Sequence, residues 1–228
     1  MIIAMSGVDC AGKSTHIELL RQYYISKGKT CTVFWYRPGY SDEMQKLKVL
    51  LRKGITFSQN LHTMLPVPST RQQSDKSAPK PEAETPDTGK FHVPAPIWLS
   101  TAILDTTLQW ALKLRWLNKK YDVVICDRYI EDAKLDLQFK FPNISWSDTL
   151  LRHLSMLFPK PDKSFLLWLS PEEMNKRAEL KNEPFADDDH TRKMRYRAYE
   201  FLADEDMFTV IDASGDIEST HQKIIACL

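Results

Sequence analysis

Nine residues near the start constrain this chain more than any others: Gly7-Val8-Asp9-Cys10-Ala11-Gly12-Lys13-Ser14-Thr15. They fit G-x-x-x-x-G-K-[ST], follow a short apolar run at 2–5 and open a helix-like stretch at 13–27. In that setting the glycines let successive backbone N–H groups turn inward around phosphate oxygens, and the exposed amides of the helix start add positive potential. Lys13 is placed to neutralise the β- and γ-phosphates of ATP, and the Ser14 hydroxyl to sit on Mg2+. Thr15 points elsewhere on the helix and reads as a packing or capping residue. Asp9 is the unusual member. A carboxylate beside a bound triphosphate is repelled unless it holds metal or reaches away toward an acceptor, and the second reading is preferred.

Around this loop, short buried runs at 2–5, 32–36, 123–126, 165–169 and 208–211 alternate with helical candidates at 13–27, 42–53, 97–120, 147–158, 171–180, 191–202 and 217–227. Several of these helices open on Ser, Asp or Pro. Such alternation predicts an α/β fold of the P-loop NTPase type, with a five-stranded parallel sheet covered by helices on both faces. A length of 228 residues predicts a single P-loop domain, 1–228. Within it, 55–96 collapses into Pro, Ser, Thr, Lys and Glu and reads as a flexible insertion, either a plain solvated loop or a substrate-covering flap.

A second constellation lies at the end of the third strand, where Asp127-Arg128-Tyr129 emerges at the edge that binds ligands in open α/β sheets. Asp127 is placed to serve Mg2+, directly or through water. The planar guanidinium of Arg128 suits a bridge between donor and acceptor phosphates, the alternative being an ion pair that only holds the loop.

These residues, with the Arg37-Pro38-Gly39 turn after the second strand, resemble the thymidylate kinase family of nucleoside monophosphate kinases. Pro159-Lys160-Pro161-Asp162, Ser170-Pro171-Glu172-Glu173 and Ile211-Asp212-Ala213 are similar to family segments too, so the likeness covers most of the chain outside 55–96. The resemblance implies ATP- and Mg2+-dependent phosphorylation of a nucleoside monophosphate, dTMP to dTDP first. It also implies that Arg37 holds the acceptor phosphate, that Arg128 touches both phosphates, that a helical lid closes over ATP, and that long helices pair two subunits.

The lid falls at 177–197, where Arg177, Lys181, Arg192, Lys193, Arg195 and Arg197 bracket a proline-containing acidic connection. Cys10 and Ala11 stand in the cradle where some relatives place an arginine. The catalytic cation is therefore expected from the lid, Arg177 first and Arg192 second, with charges on a solvated helix face as the alternative for 192–197.

The acceptor side departs from the family pattern. Asp105 and Thr106 stand where a thymine-reading arginine is usual, and Glu131, Asp132, Lys134 and Asp136 replace a serine-rich run and a tyrosine. Asp105 and Asp136 become acceptor-binding candidates; Asp132 and Asp136, one helical turn apart, could share a face that suits the hydroxyls of a sugar or ribose, with an ordinary helix surface as the alternative. An acceptor of another kind, such as a different nucleotide or a sugar derivative, stays open, as does a nucleotide-dependent switch without catalysis. The tryptophans at 98, 110 and 116 read as core rather than as a base-stacking surface.

Charge balance narrows the partners. With 31 basic and 30 acidic residues, the chain is read as binding ATP and a small phosphorylated acceptor, and not nucleic acid or a membrane. Four scattered cysteines in no zinc spacing, and the absence of a secretory start, point to a cytoplasmic location.

Overall fold

The computed structural model describes residues 1–39, 41, 95–142, 144, 146–180, 189–204 and 207–228. The 42–53 helix, nearly all of the 55–96 insertion and the 181–188 connection of the lid lie outside the described residues.

Five parallel strands form one sheet in the order β2-β3-β1-β4-β5: β1 Ile2–Gly7, β2 Cys31–Trp35, β3 Val123–Asp127, β4 Lys163–Trp168 and β5 Thr209–Asp212. β1 lies between β3 and β4, with Met5 level with both Asp127 and Phe165, while Trp35 on β2 is also level with Asp127. The loops leaving β1, β2 and β3 therefore emerge at one edge, the position at which ligands sit in open parallel sheets.

Strand alternation divides the core in two. Ile3, Met5, Val123 and Ile125 face one layer, built with Leu20 of helix α1 (Lys13–Ser26) and Ile224 of the C-terminal helix. Ile2, Ala4, Val124 and Cys126 face the other, with Leu99, Ile103, Trp110 and Leu151. Both faces of the sheet are thus apolar and covered, which is why these strands read as unbroken hydrophobic runs.

The long stretch expected at 97–120 is α2 (Ala95–Leu108), a π-helical turn (Gln109–Lys113) and α3 (Leu114–Lys120). The π turn carries Trp110, fully buried, against Tyr36, Tyr129 and Phe158. Then follow α4 (Ile130–Lys140), α5 (Trp146–Ser155), α6 (Pro171–Leu180), α7 (Asp189–Ala203) and α8 (Ile217–Ala226). Of these, α4 is not among the helical candidates of the sequence, although Asp132 and Asp136 are set one helical turn apart there. It buries Asp132 and Asp136 with Ala133, Leu135 and Leu137, so its inward face is partly acidic and gives no apolar stripe.

No helix among the described residues is long and apolar enough to cross a membrane. None of the four cysteines is in a disulfide.

Candidate active site

Backbone geometry builds the phosphate cradle. Gly7 has φ +145°, and a Cβ there would lie 2.3 Å from the Leu167 carbonyl oxygen, so the loop leaves β1 in contact with β4 only because that side chain is missing. Cys10 takes a left-handed φ of 61°, turning the chain back toward α1. The first turn of α1 has no acidic residue and no capping side chain, which leaves its amides available to an anion. Thr15, expected to pack or cap, is solvent-exposed and does neither.

Lys13 folds over this loop, its ammonium donating to the carbonyls of Gly7 at 2.9 Å and Val8 at 2.8 Å. Burial, and secondarily the nearby Arg128 charge, lower its pKa from 10.5 to about 8. A polyanion restores the balance that burial removes.

β3 ends on Asp127, and the following residue, Arg128, has φ 75°. This strained conformation costs about 1–2 kcal/mol for a residue with a side chain and turns the guanidinium toward the cradle. Arg128 Nη2 stands 3.8 Å from Asp9 Oδ1, so the two candidates meet beside Lys13. Among the described residues the Asp127 carboxylate has no hydrogen bond or ion pair, and burial raises its pKa against the opposing charges of Arg128 and Lys13. An under-compensated carboxylate at this edge, with the Ser14 hydroxyl exposed at the helix start, fits a magnesium ion that rides in on nucleotide phosphates. No cluster of three or more ligating side chains exists among the described residues.

Arg37 follows β2 through a turn in which Gly39 has φ 79° and a Cβ would lie 2.6 Å from the Trp98 ring. Its guanidinium pairs with Asp136 on two atoms, Nε to Oδ2 at 2.7 Å and Nη2 to Oδ1 at 3.1 Å. Arg195 Nη1 donates to the same carboxylate at 2.7 Å. These three residues line, with Pro38, Trp98 and Lys140, a cavity of about 200 Å3.

Asp105 lies elsewhere. It is buried, accepting from Ser41 Oγ at 2.7 and 2.8 Å and from Tyr36 OH at 3.0 Å, so it props the turn that carries Arg37 and does not line this cavity. Thr106 shares the same tyrosine hydroxyl at 2.9 Å.

The lid arginines separate. Arg177, on α6, pairs with Glu173 at 2.9 Å and donates to the Ser214 carbonyl at 3.3 Å, beside the loop that follows β5. Arg192 reaches Asn175 at 3.5 Å. Arg195 is only 6 % exposed and turns inward.

Sequence reasoning missed the groups that hold this arrangement together. Asp132, 1 % exposed, accepts from Ser6 Oγ at 2.5 Å, the Tyr129 amide at 3.0 Å and Tyr199 OH at 2.5 Å. In the sequence, the one-turn spacing of Asp132 and Asp136 reads as suiting sugar hydroxyls or a plain helix surface; the signal left unused is the matching one-turn spacing of Arg195 and Tyr199.

Comparison with known proteins bears on this geometry. The family model described as thymidylate kinase matches residues 104–224, just over half of the chain. The chain belongs to the thymidylate kinase family. It is also 26 % identical over 225 residues to a thymidylate kinase of Bifidobacterium longum (strain NCC 2705), covering 96 % of this chain and 92 % of that protein. The family has the P-loop architecture found here, and membership makes the chain a nucleotide kinase. The matched interval begins within α2 and takes in Asp105, the Asp127-Arg128-Tyr129 turn, Asp136 and the α6–α7 arginines; the relative extends the likeness to nearly the whole chain.

Proposed function

We propose that this thymidylate kinase family member transfers the γ-phosphoryl group of Mg-ATP to a nucleoside monophosphate, with dTMP the first acceptor to test. The observation that carries the reading is the meeting of Asp9 and Arg128, 3.8 Å apart, beside the buried Lys13. A switch that only holds nucleotide needs no guanidinium on the far side of its cradle and no separate Arg37 pocket.

In this reading the amides of residues 7–15 and Lys13 hold the β- and γ-phosphates, and Arg177 lies over the nucleotide end near Ser214. Arg37 and Arg128 hold the acceptor phosphate, with Asp9 setting Arg128. Ser14 and Asp127 would hold Mg2+, whose charge would neutralise that of the phosphates. An acceptor oxygen attacks the γ-phosphorus in line; the bond to the β–γ bridging oxygen breaks, and ADP leaves with that electron pair. A phosphomonoester with a second pKa of about 6 is already dianionic at neutral pH, so no general base is required. Catalysis is positioning and neutralisation.

A second acceptor class is favoured by one observation. Asp136 and Lys140 make the Arg37 cavity charged, and Asp105 and Thr106, in place of a thymine-reading arginine, are tied up with Tyr36, so a different nucleotide or a sugar phosphate is the alternative.

We also read the protein as a cytoplasmic homodimer built on α2–α3, whose outer face exposes Ile97, Leu104, Leu108, Leu112 and Trp116.

The test is ADP formation with Mg-ATP against dTMP, dUMP, other nucleoside monophosphates and sugar phosphates. Acceptor-dependent ADP formation supports the kinase reading, and the highest kcat/KM names the acceptor. ADP formation that no acceptor changes would overturn it.

A further inference from the structure

Two residues one turn apart on α4, Asp132 and Asp136, meet two residues one turn apart on α7, Tyr199 and Arg195, in antiparallel order. Tyr199 OH donates to Asp132 Oδ1 at 2.5 Å, and Arg195 Nη1 to Asp136 Oδ1 at 2.7 Å. All four residues are buried, none more than 9 % exposed. Each carboxylate also holds one arginine of the acceptor side. Arg128 Nη1 lies 3.7 Å from Asp132 and 3.4 Å from Tyr199 OH, while Arg37 grips Asp136 on two atoms.

Stability alone does not account for this. Buried charges are costly to desolvate, and apolar residues of similar volume hold helices together at least as well. What the charged arrangement adds is direction: a two-atom carboxylate pairing fixes the plane of a guanidinium, and a second anchor on α7 fixes the carboxylate.

We propose that this two-rung ladder ties α7 to the grip on the acceptor phosphate, with Asp132 and Asp136 acting as positioning residues for Arg128 and Arg37. When α7 shifts, both arginines shift together, so the helix leaving the α6–α7 connection sets the affinity for the acceptor. Tyr199 and Arg195 are the parts of α7 that transmit this. The inference rests on the reading that Arg37 and Arg128 receive the acceptor phosphate.

Tyr199 is fully buried and out of reach of any ligand, so an effect of Tyr199→Phe on phosphate binding must be transmitted through the two groups its hydroxyl touches, Asp132 and Arg128. The test compares the unaltered protein with Tyr199→Phe, Arg195→Gln and Arg195→Lys. Inorganic phosphate is the probe, titrated with saturating Mg-ADP in the cradle, and KM is measured for ATP and for the best acceptor found. Thermal midpoints establish that each variant is folded. The expected result is a loss of about tenfold in phosphate affinity, and an equal rise in acceptor KM, for Tyr199→Phe and Arg195→Gln, with ATP KM within about twofold and partial recovery in Arg195→Lys. Unchanged phosphate affinity in folded variants overturns the ladder and leaves the acceptor pocket standing. Failure of the unaltered protein to bind phosphate beside Mg-ADP overturns the pocket and the ladder together.

Discussion

Lys13 shows how burial shapes a single side chain for its ligand. Its ammonium is shared between two loop carbonyls, and its pKa is about 8, so at neutral pH it is charged but weakly compensated. A bound triphosphate raises that pKa, and binding therefore takes up a proton wherever the free site has lost one. The sign follows: ATP affinity holds below pH 8 and falls as pH rises through it, by up to tenfold per pH unit in the steep region. Titration of ATP between pH 7 and 9.5 checks this, and a flat profile would reject the assignment. Arg128→Ala tests the transfer step, with an expected loss of ~10²–10³ in kcat and a smaller change in ATP affinity. Gly39 makes a purely structural prediction. Its φ of 79° and the 2.6 Å approach to Trp98 mean that Gly39→Ala lowers stability by about 1–3 kcal/mol, measured by denaturant titration. Lys13, Ser14, Asp127 and Arg128 were legible because a contiguous motif or a strand end carries each of them. Asp132 and Arg195 were not, because their partners lie 67 and 59 residues away, and charge spacing in one helix means little until the facing helix is known.

At the scale of elements, periodicity succeeded where a helix or strand buries only apolar groups and failed where it buries polar ones. The central strands β1, β3 and β4 are largely buried and apolar, and all five strands were read within a few residues of their ends. Helix α4 was not, since its buried positions include two carboxylates that only the fold neutralises. The same kind of hidden polarity appears between α1 and α8, where the rings of His16 and His221 stack at 6.2 Å and 12°. Both rings are buried, and neither Nδ1 has a hydrogen-bond partner among the described residues. Burial lowers both pKa values from 6.5, with His221 and Arg177 adding to the effect on His16, while Glu218 opposes it for His221. The folded protein therefore binds fewer protons than the unfolded chain. Stability is full above pH 6.5 and falls as pH drops through it toward the lower folded values. Thermal midpoints at pH 7.5, 6.5 and 5.5 check this in a window above the titration of ordinary carboxylates, and the slope shrinks in His221→Gln. An equal slope in that variant would place the effect elsewhere.

For the whole molecule, strand order decides what can become a site. With β1 central, the loops after β1, β2 and β3 open side by side, so residues 7–15, Arg37 and Arg128 converge although their segments are far apart in the chain. That convergence follows from the right-handed crossover rule and was legible from strand–helix alternation; which acidic residues would stand behind the arginines was not. The same topology leaves one long surface exposed. Along α2, the π turn and α3, the residues Ile97, Leu104, Leu108, Leu112 and Trp116 are each about half exposed. Steps of four residues rotate steadily off one face of an α-helix, at 3.6 residues per turn. The wider π turn at Gln109–Lys113 slows that rotation, so Leu112 and Trp116 stay near the line of Leu104 and Leu108. A continuous apolar stripe of this length is what a subunit interface of about 800 Å2 per partner needs at its centre, and a second copy offers a matching stripe across a two-fold axis. The unaltered protein is therefore expected to sediment as a dimer at micromolar concentration. Leu112→Asp, within the stripe, should shift it to monomer by weakening association at least 100-fold, because each copy would bury a carboxylate without a partner. Leu112→Asp keeps its fold on this account, since the side chain is 62 % exposed within one subunit. A monomeric unaltered protein, or a variant that still sediments as a dimer, would remove this surface from the interface.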